Sequence, residues 1–232
     1  MKNSLEFDRR FRILSGLSGI IGVVLLTTSF AINGGPPCEA MTSAELVKWG
    51  QENYVKGLWG AWLQAVGPVL IMLFALSLIH LAGATQRLAG WMVLFGASVL
   101  TTVSLIEITF YISAWYPEPM IMPSISLRFI SAVQHLYFIA AAPALFLPLG
   151  VVIIESRVLP KTLGYLALLL AATFAVLGAA FMLQLTLPAS VTAVAGIQAL
   201  WWLAAAITLI VSRGEIRSIH EDDGQAIVTS KR

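Results

Sequence analysis

Charge is scarce in this sequence. Asp, Glu, Lys and Arg make up 11% of its 232 residues, whereas a soluble domain covers its surface with about 25%. That shortage excludes an ordinary water-facing globule. There is a single cysteine, Cys38, so an internal disulfide is impossible, and no CxxC, haem-attachment motif or Cys/His ligand spacing occurs. No metal is expected, and no cofactor can be named. The net charge of +2 is too small to suggest a nucleic-acid partner. Phosphate-binding P-loops, HExxH helices and nucleophile elbows are all missing, which removes the enzyme classes that announce themselves in sequence.

Apolar residues are abundant, at 58%, and they come in blocks. A bilayer core of about 30 Å takes roughly 20 apolar residues to cross as a helix. Six such blocks occur, at about 12–32, 58–82, 89–113, 128–153, 162–186 and 189–212. The expected fold is therefore all-α: residues 1–232 form one transmembrane domain, a bundle of six helices with the lipid bilayer as its main partner. The first block is longer than the apolar core of a signal peptide and lacks an A-x-A-like cleavage site, so it reads as a retained signal anchor. Basic residues gather on the cytoplasmic side of such proteins. Here Lys2, Arg9, Arg10, Arg12, Arg87, Arg157, Lys161, Arg213, Arg217, Lys231 and Arg232 all fall on one side, against Lys48, Lys56 and Arg128 on the other. Both termini are expected in the cytoplasm, with 213–232 as a cytoplasmic tail.

The connections are short except for 33–56, an outer loop. Thr42-Ser43-Ala44-Glu45 within it is a capping box, which predicts a short interfacial helix to about Tyr54, either packed over the bundle or acting as a lid. The third connection carries Pro117, Pro119 and Pro123 and cannot be helical throughout. Pro68, Pro143 and Pro148 interrupt hydrogen bonding inside the second and fourth blocks, where kinks are expected.

Glu107 stands inside an apolar block, where an ionisable group is costly and marks a functional site by default. At about 1.5 Å of rise per residue, Gln64, Glu107, His135 and Gln198 come to similar depths in the outer half of the membrane, with Gln134 and Tyr111 near the same level. Ser104, Glu107 and Tyr111 share one helix face; Arg128, Ser131 and His135 share another. Short-loop neighbours would let Glu107 meet His135 or Arg128. On the last helix, Gln198, Trp201 and Trp202 lie beside Ala195, Gly196 and Ala199, small residues that allow close helix approach. A Glu–His pair in low dielectric can relay protons or act as a general acid and base. Equally, Glu107 can be a structural hub joining helices. The ligand-binding or proton-handling candidates are Glu107, His135, Gln134, Gln64, Gln198, Tyr111, Arg128 and Trp201.

Ser43-Ala44-Glu45-Leu46-Val47 in the outer loop, and Arg157-Val158-Leu159-Pro160-Lys161-Thr162-Leu163-Gly164-Tyr165 at the fourth connection, resemble a loose group of uncharacterised bacterial six-helix integral membrane proteins. The resemblance implies the bundle fold and a bacterial inner-membrane setting, and brings no substrate or catalytic residue. Three functions stay open: binding or transport of a small amphipathic or lipophilic solute; a membrane-embedded enzyme using Glu107 and His135 on a lipid or isoprenoid; and an accessory subunit of a membrane complex, or a homo-oligomer, whose polar layer is structural.

Overall fold

The computed structural model describes residues 2–33, 41–115, 123–156, 158–183, 185 and 188–212. Among them are seven α-helices and one π-helical turn, and no strand: α1 (Lys2–Asn33), α2 (Ser43–Leu81), α3 (Leu88–Trp115), α4 (Pro123–Leu136), a π turn (Tyr137–Ala141), α5 (Ala142–Ser156), α6 (Lys161–Met182) and α7 (Pro188–Val211). α4, the π turn and α5 run on as one rod, so the chain forms six rods long and apolar enough to cross a bilayer. Cys38, Pro117 and Pro119 of the third connection, Arg157 and the C-terminal tail lie outside the described residues.

The rods close into a ring. α1 packs on α2 and α7, α2 on α3, α3 on α4 and α5, α5 on α6, and α6 on α7. Lipid tails are as apolar as leucine, so close packing has to hold such a ring. Aromatic rings fill its middle: Phe146 lies 5.2 Å from Trp201 and 5.4 Å from Trp202, and Trp202 meets Phe74 edge-on at 5.9 Å. One end of the bundle gathers the start of α1 and the ends of α2, α5 and α7. There Arg12 donates to the Ser212 carbonyl at 3.2 Å, Phe11 packs on His80, and Arg87 pairs with Glu155 at 3.8 Å.

The interfacial helix expected to end near Tyr54 does not end there. The capping box forms, with Thr42 and Glu45 satisfying each other's backbone N–H groups, but the helix continues unbroken to Leu81. Nothing between Tyr54 and Leu58 forces a stop, and Gly57 is held by the indole of Trp115 packed against it. At 39 residues, α2 is about 58 Å long, nearly twice the bilayer core. Its first turns, with Glu45, Lys48, Glu52 and Lys56, therefore stand beyond the apolar layer. It ends on Gly83, whose φ of +61° is the left-handed conformation that favours glycine after a helix.

The prolines act differently from one another. Pro68 and Pro148 are absorbed within α2 and α5. Pro143 follows the π turn, where the Ala142 N–H reaches back five residues to the Tyr137 carbonyl. Proline has no N–H to bond the carbonyl four residues earlier and its ring crowds it; one wider turn relieves both.

Candidate functional site

Glu107 lies on α3, eight residues before Trp115 and so about 12 Å from that helix end. Its Oε2 accepts the Gln64 Nε2–H from α2 at 3.1 Å, and its Oε1 accepts the Gln134 Nε2–H from α4 at 2.9 Å. Three helices are thus tied through one carboxyl. Gln64 is 1% exposed, whereas Glu107 and Gln134 are only partly buried. Among the described residues no cation stands within ion-pair distance of Glu107. Both donors are neutral amides.

The network extends to α1. Ser29, fully buried, donates its hydroxyl to the Gly60 carbonyl at 2.8 Å, and its oxygen lies 3.5 Å from Gln64 Oε1. Asn33 Nδ2 donates to the Ser29 hydroxyl at 3.3 Å. Gly60 makes this possible: Asn33 Oδ1 sits where a Cβ at position 60 would stand. That oxygen is buried without a hydrogen-bond partner and is met by the Gly60 Cα–H, a weak donor. One turn along α2, the Trp115 ring covers Gly57, and its Nε1–H is likewise buried and unpaired.

The other expected site residues are placed elsewhere. His135 does not meet Glu107. Its Nδ1 lies 2.6 Å from the Ser131 carbonyl, so that nitrogen carries the hydrogen, and its ring packs edge-on against Phe181 of α6 at 4.8 Å. Arg128 is exposed and forms no ion pair with Glu107. Helical geometry accounts for both. Ser126, Ile130 and Val133 mark the buried face of α4, and Gln134, at its edge, is what reaches Glu107. His135 is a further 100° round the helix, and Arg128 lies on the outward face.

Tyr111 is buried beside Glu107's helix face, with its ring stacked on Trp115 at 5.2 Å. Gln198 is buried too, but belongs to a second polar contact: its Oε1 accepts the Tyr137 hydroxyl at 2.6 Å. Trp201 donates its indole N–H to the Leu163 carbonyl at 2.9 Å, tying α7 to α6. Gly196, expected at a close helix crossing, has nothing within 4 Å of where a Cβ would be; it faces outward with Ala195 and Ile197.

The residues that sequence reasoning missed are Ser29, Asn33, Gly60 and Tyr137. Most hydroxyls in these helices bond their own backbone, as Ser15 does to Phe11 and Thr101 to Ala97, so nothing local distinguishes Ser29. Spacing was the available signal for the rest: Ser29 and Asn33 are one turn apart, and Gly50, Gly57, Gly60 and Gly67 recur on α2.

An ionised carboxylate offers about four lone-pair positions, and the two glutamines use two. The site can therefore accept another hydrogen-bond donor or a cation. Among the described residues no three His, Cys, Asp or Glu side chains cluster as metal ligands would. Compared with known proteins, the chain matches no family model, no curated protein and no solved structure.

Proposed function

We propose that this multi-pass membrane protein binds a small amphipathic solute, carries it across the bilayer, and holds the solute's cationic head at Glu107. The observation that carries the reading is a carboxyl at membrane depth, bonded by two neutral amides and, among the described residues, by no cation. A lone ionised group there is costly, and a charge pair repays the cost only when its geometry and hydrogen bonds are complete. A solute cation would complete it. Glu107 and Gln134 are only partly buried, so the carboxyl is not sealed from a solute. The setting we assign is a bacterial inner membrane with both termini cytoplasmic, on the strength of the one-sided basic residues.

Native mass spectrometry of the gently purified protein, with an absorbance spectrum on the same sample, tests the reading. A stoichiometric small-molecule adduct that disappears in Glu107→Gln is expected. A clean apoprotein mass in the wild type would overturn it.

An accessory-subunit reading is favoured by the outward face of α7, where Ala195, Gly196 and Ile197 lie exposed and Gly196 would admit a close helix from another chain. It predicts a copurifying protein and no small-molecule adduct. Acid–base catalysis by Glu107 and His135 gains no support, because the two side chains are not bonded and His135 is engaged with Ser131 and Phe181.

A further inference from the structure

The Gln64–Ser29 contact is lopsided. Ser29 has one hydroxyl hydrogen and two acceptors in reach, the Gly60 carbonyl at 2.8 Å and Gln64 Oε1 at 3.5 Å. One hydrogen serves one good bond, and the shorter contact takes it; 3.5 Å lies beyond the usual O–H···O range. Gln64 is 1% exposed, so while its amide donates to Glu107 its carbonyl is left nearly unbonded. A buried acceptor in that condition costs about 1–3 kcal/mol.

Turning the Gln64 amide over removes the defect. Nε2 then turns a hydrogen toward Ser29 Oγ, which has two lone pairs and still gives its hydrogen to Gly60; a closing shift of about 0.3 Å brings the 3.5 Å separation into N–H···O range, and Ser29 then accepts from Gln64 and from Asn33 Nδ2 together. Gln64 Oε1 now faces Glu107 Oε2. Two acceptors cannot face each other unless one carries a hydrogen, and Glu107 gains one by taking up a proton. Its O–H donates to Gln64, while Oε1 keeps the Gln134 N–H. The Gln64 carbonyl, nearly unbonded before, then has a donor in Glu107.

We infer that Glu107 has a second ligand, the proton, which it takes when no cation occupies the site, and that the Gln64 amide inverts as it does so. The inference rests on the proposed solute reading and gives it a coupling. A protonated carboxyl and a carboxylate with a bound cation both have zero net charge, the condition low dielectric favours. Cation entry therefore releases one proton from Glu107 to water, and cation exit takes one back.

Other titratable groups are few. α3 adds only Tyr111. α4 and the π turn add His135, bonded to Ser131, and Tyr137, bonded to Gln198; Arg128 is exposed. α2 presents Gln64 at this level, and α5 has no titratable side chain before Glu155 at the far end.

Infrared difference spectra of the solute-free full chain in nanodiscs, acid minus alkaline buffer, test this. A protonated-carboxyl band that vanishes in Glu107→Gln is expected, accompanied by a glutamine amide band that vanishes in Gln64→Met. Ser29→Ala, which removes the acceptor for the inverted amide, should keep the carboxyl band and lose the amide one. A spectrum with no Glu107 carboxyl change, or a carboxyl change with no Gln64 component, would overturn the inference. Because no solute is present, failure here leaves the adduct test standing, and a missing adduct leaves this result standing.

Discussion

Glu107 and Gly60 set the energetics of the network by opposite means, one by what it bonds and the other by what it lacks. Glu107→Leu leaves the sealed Gln64 amide without its acceptor, and a cost of about 1–3 kcal/mol is expected. Glu107→Gln should cost under about 1 kcal/mol, in keeping with the small average value of hydrogen bonds between membrane helices, since an amide can both donate and accept. Unfolding of the two variants in mixed micelles checks this; equal losses would refute the hydrogen-bond account. Gly60→Ala drives a methyl into the Asn33 amide. Overpacking of this kind costs about 1–3 kcal/mol, and adding Asn33→Ala should return part of the loss. Additive losses in that double-mutant cycle would mean the two residues are not coupled. The Arg87–Glu155 pair, more than half exposed on both sides, should contribute little, as surface pairs do.

Helix contacts in this bundle depend on backbones that touch. Gly22 and Gly67 face each other across α1 and α2, each with the other's carbonyl within 3 Å of where its Cβ would be, and Gly150 and Gly164 do the same across α5 and α6. Gly67→Val should push α1 off α2 and separate Ser29 from Gly60 and Gln64, with a loss at the upper end of about 1–3 kcal/mol. Gly196→Ala enters open space and should be neutral or gain up to about 1 kcal/mol in helix propensity. Thermal melts of the two in one detergent make the comparison; a melt lowered as much by Gly196→Ala would show that α7's outward face is packed. The π turn is the other device at this scale. It absorbs the Pro143 defect just below Gln134 and Tyr137, whose side chains then reach α3 and α7 respectively.

Over the whole molecule, the one-sided basic residues are the support for the orientation proposed above. Arg12, His80 and Arg87 stand at the same end of the ring as Ser212, so the beginning of α1 and the end of α7 lie together at one end of the bundle, as six crossings require. Reporter fusions at both termini should be active only in the cytoplasm; an external signal from either would reverse the proposed orientation.

Blocks of about 20 apolar residues, interrupted by turns and short of charge, were enough to determine six crossings, because the bilayer imposes length and composition on any helix that spans it. The capping box at Thr42–Glu45 was equally legible, since its partners are three residues apart. Glu107 was visible as a candidate for the same reason: an ionisable residue stands out against lipid wherever it points. Its partners were not. Glutamine or histidine at neighbouring positions on α4 satisfies the same pattern, and only the rotation of α4 against α3 selected Gln134 and turned His135 toward Phe181. Ser29, Asn33 and Gly60 were hidden because their contacts between α1 and α2 join residues about 30 apart in the chain. Depth along a helix follows from counting residues, whereas direction around it is decided by which neighbouring backbones come close enough to touch.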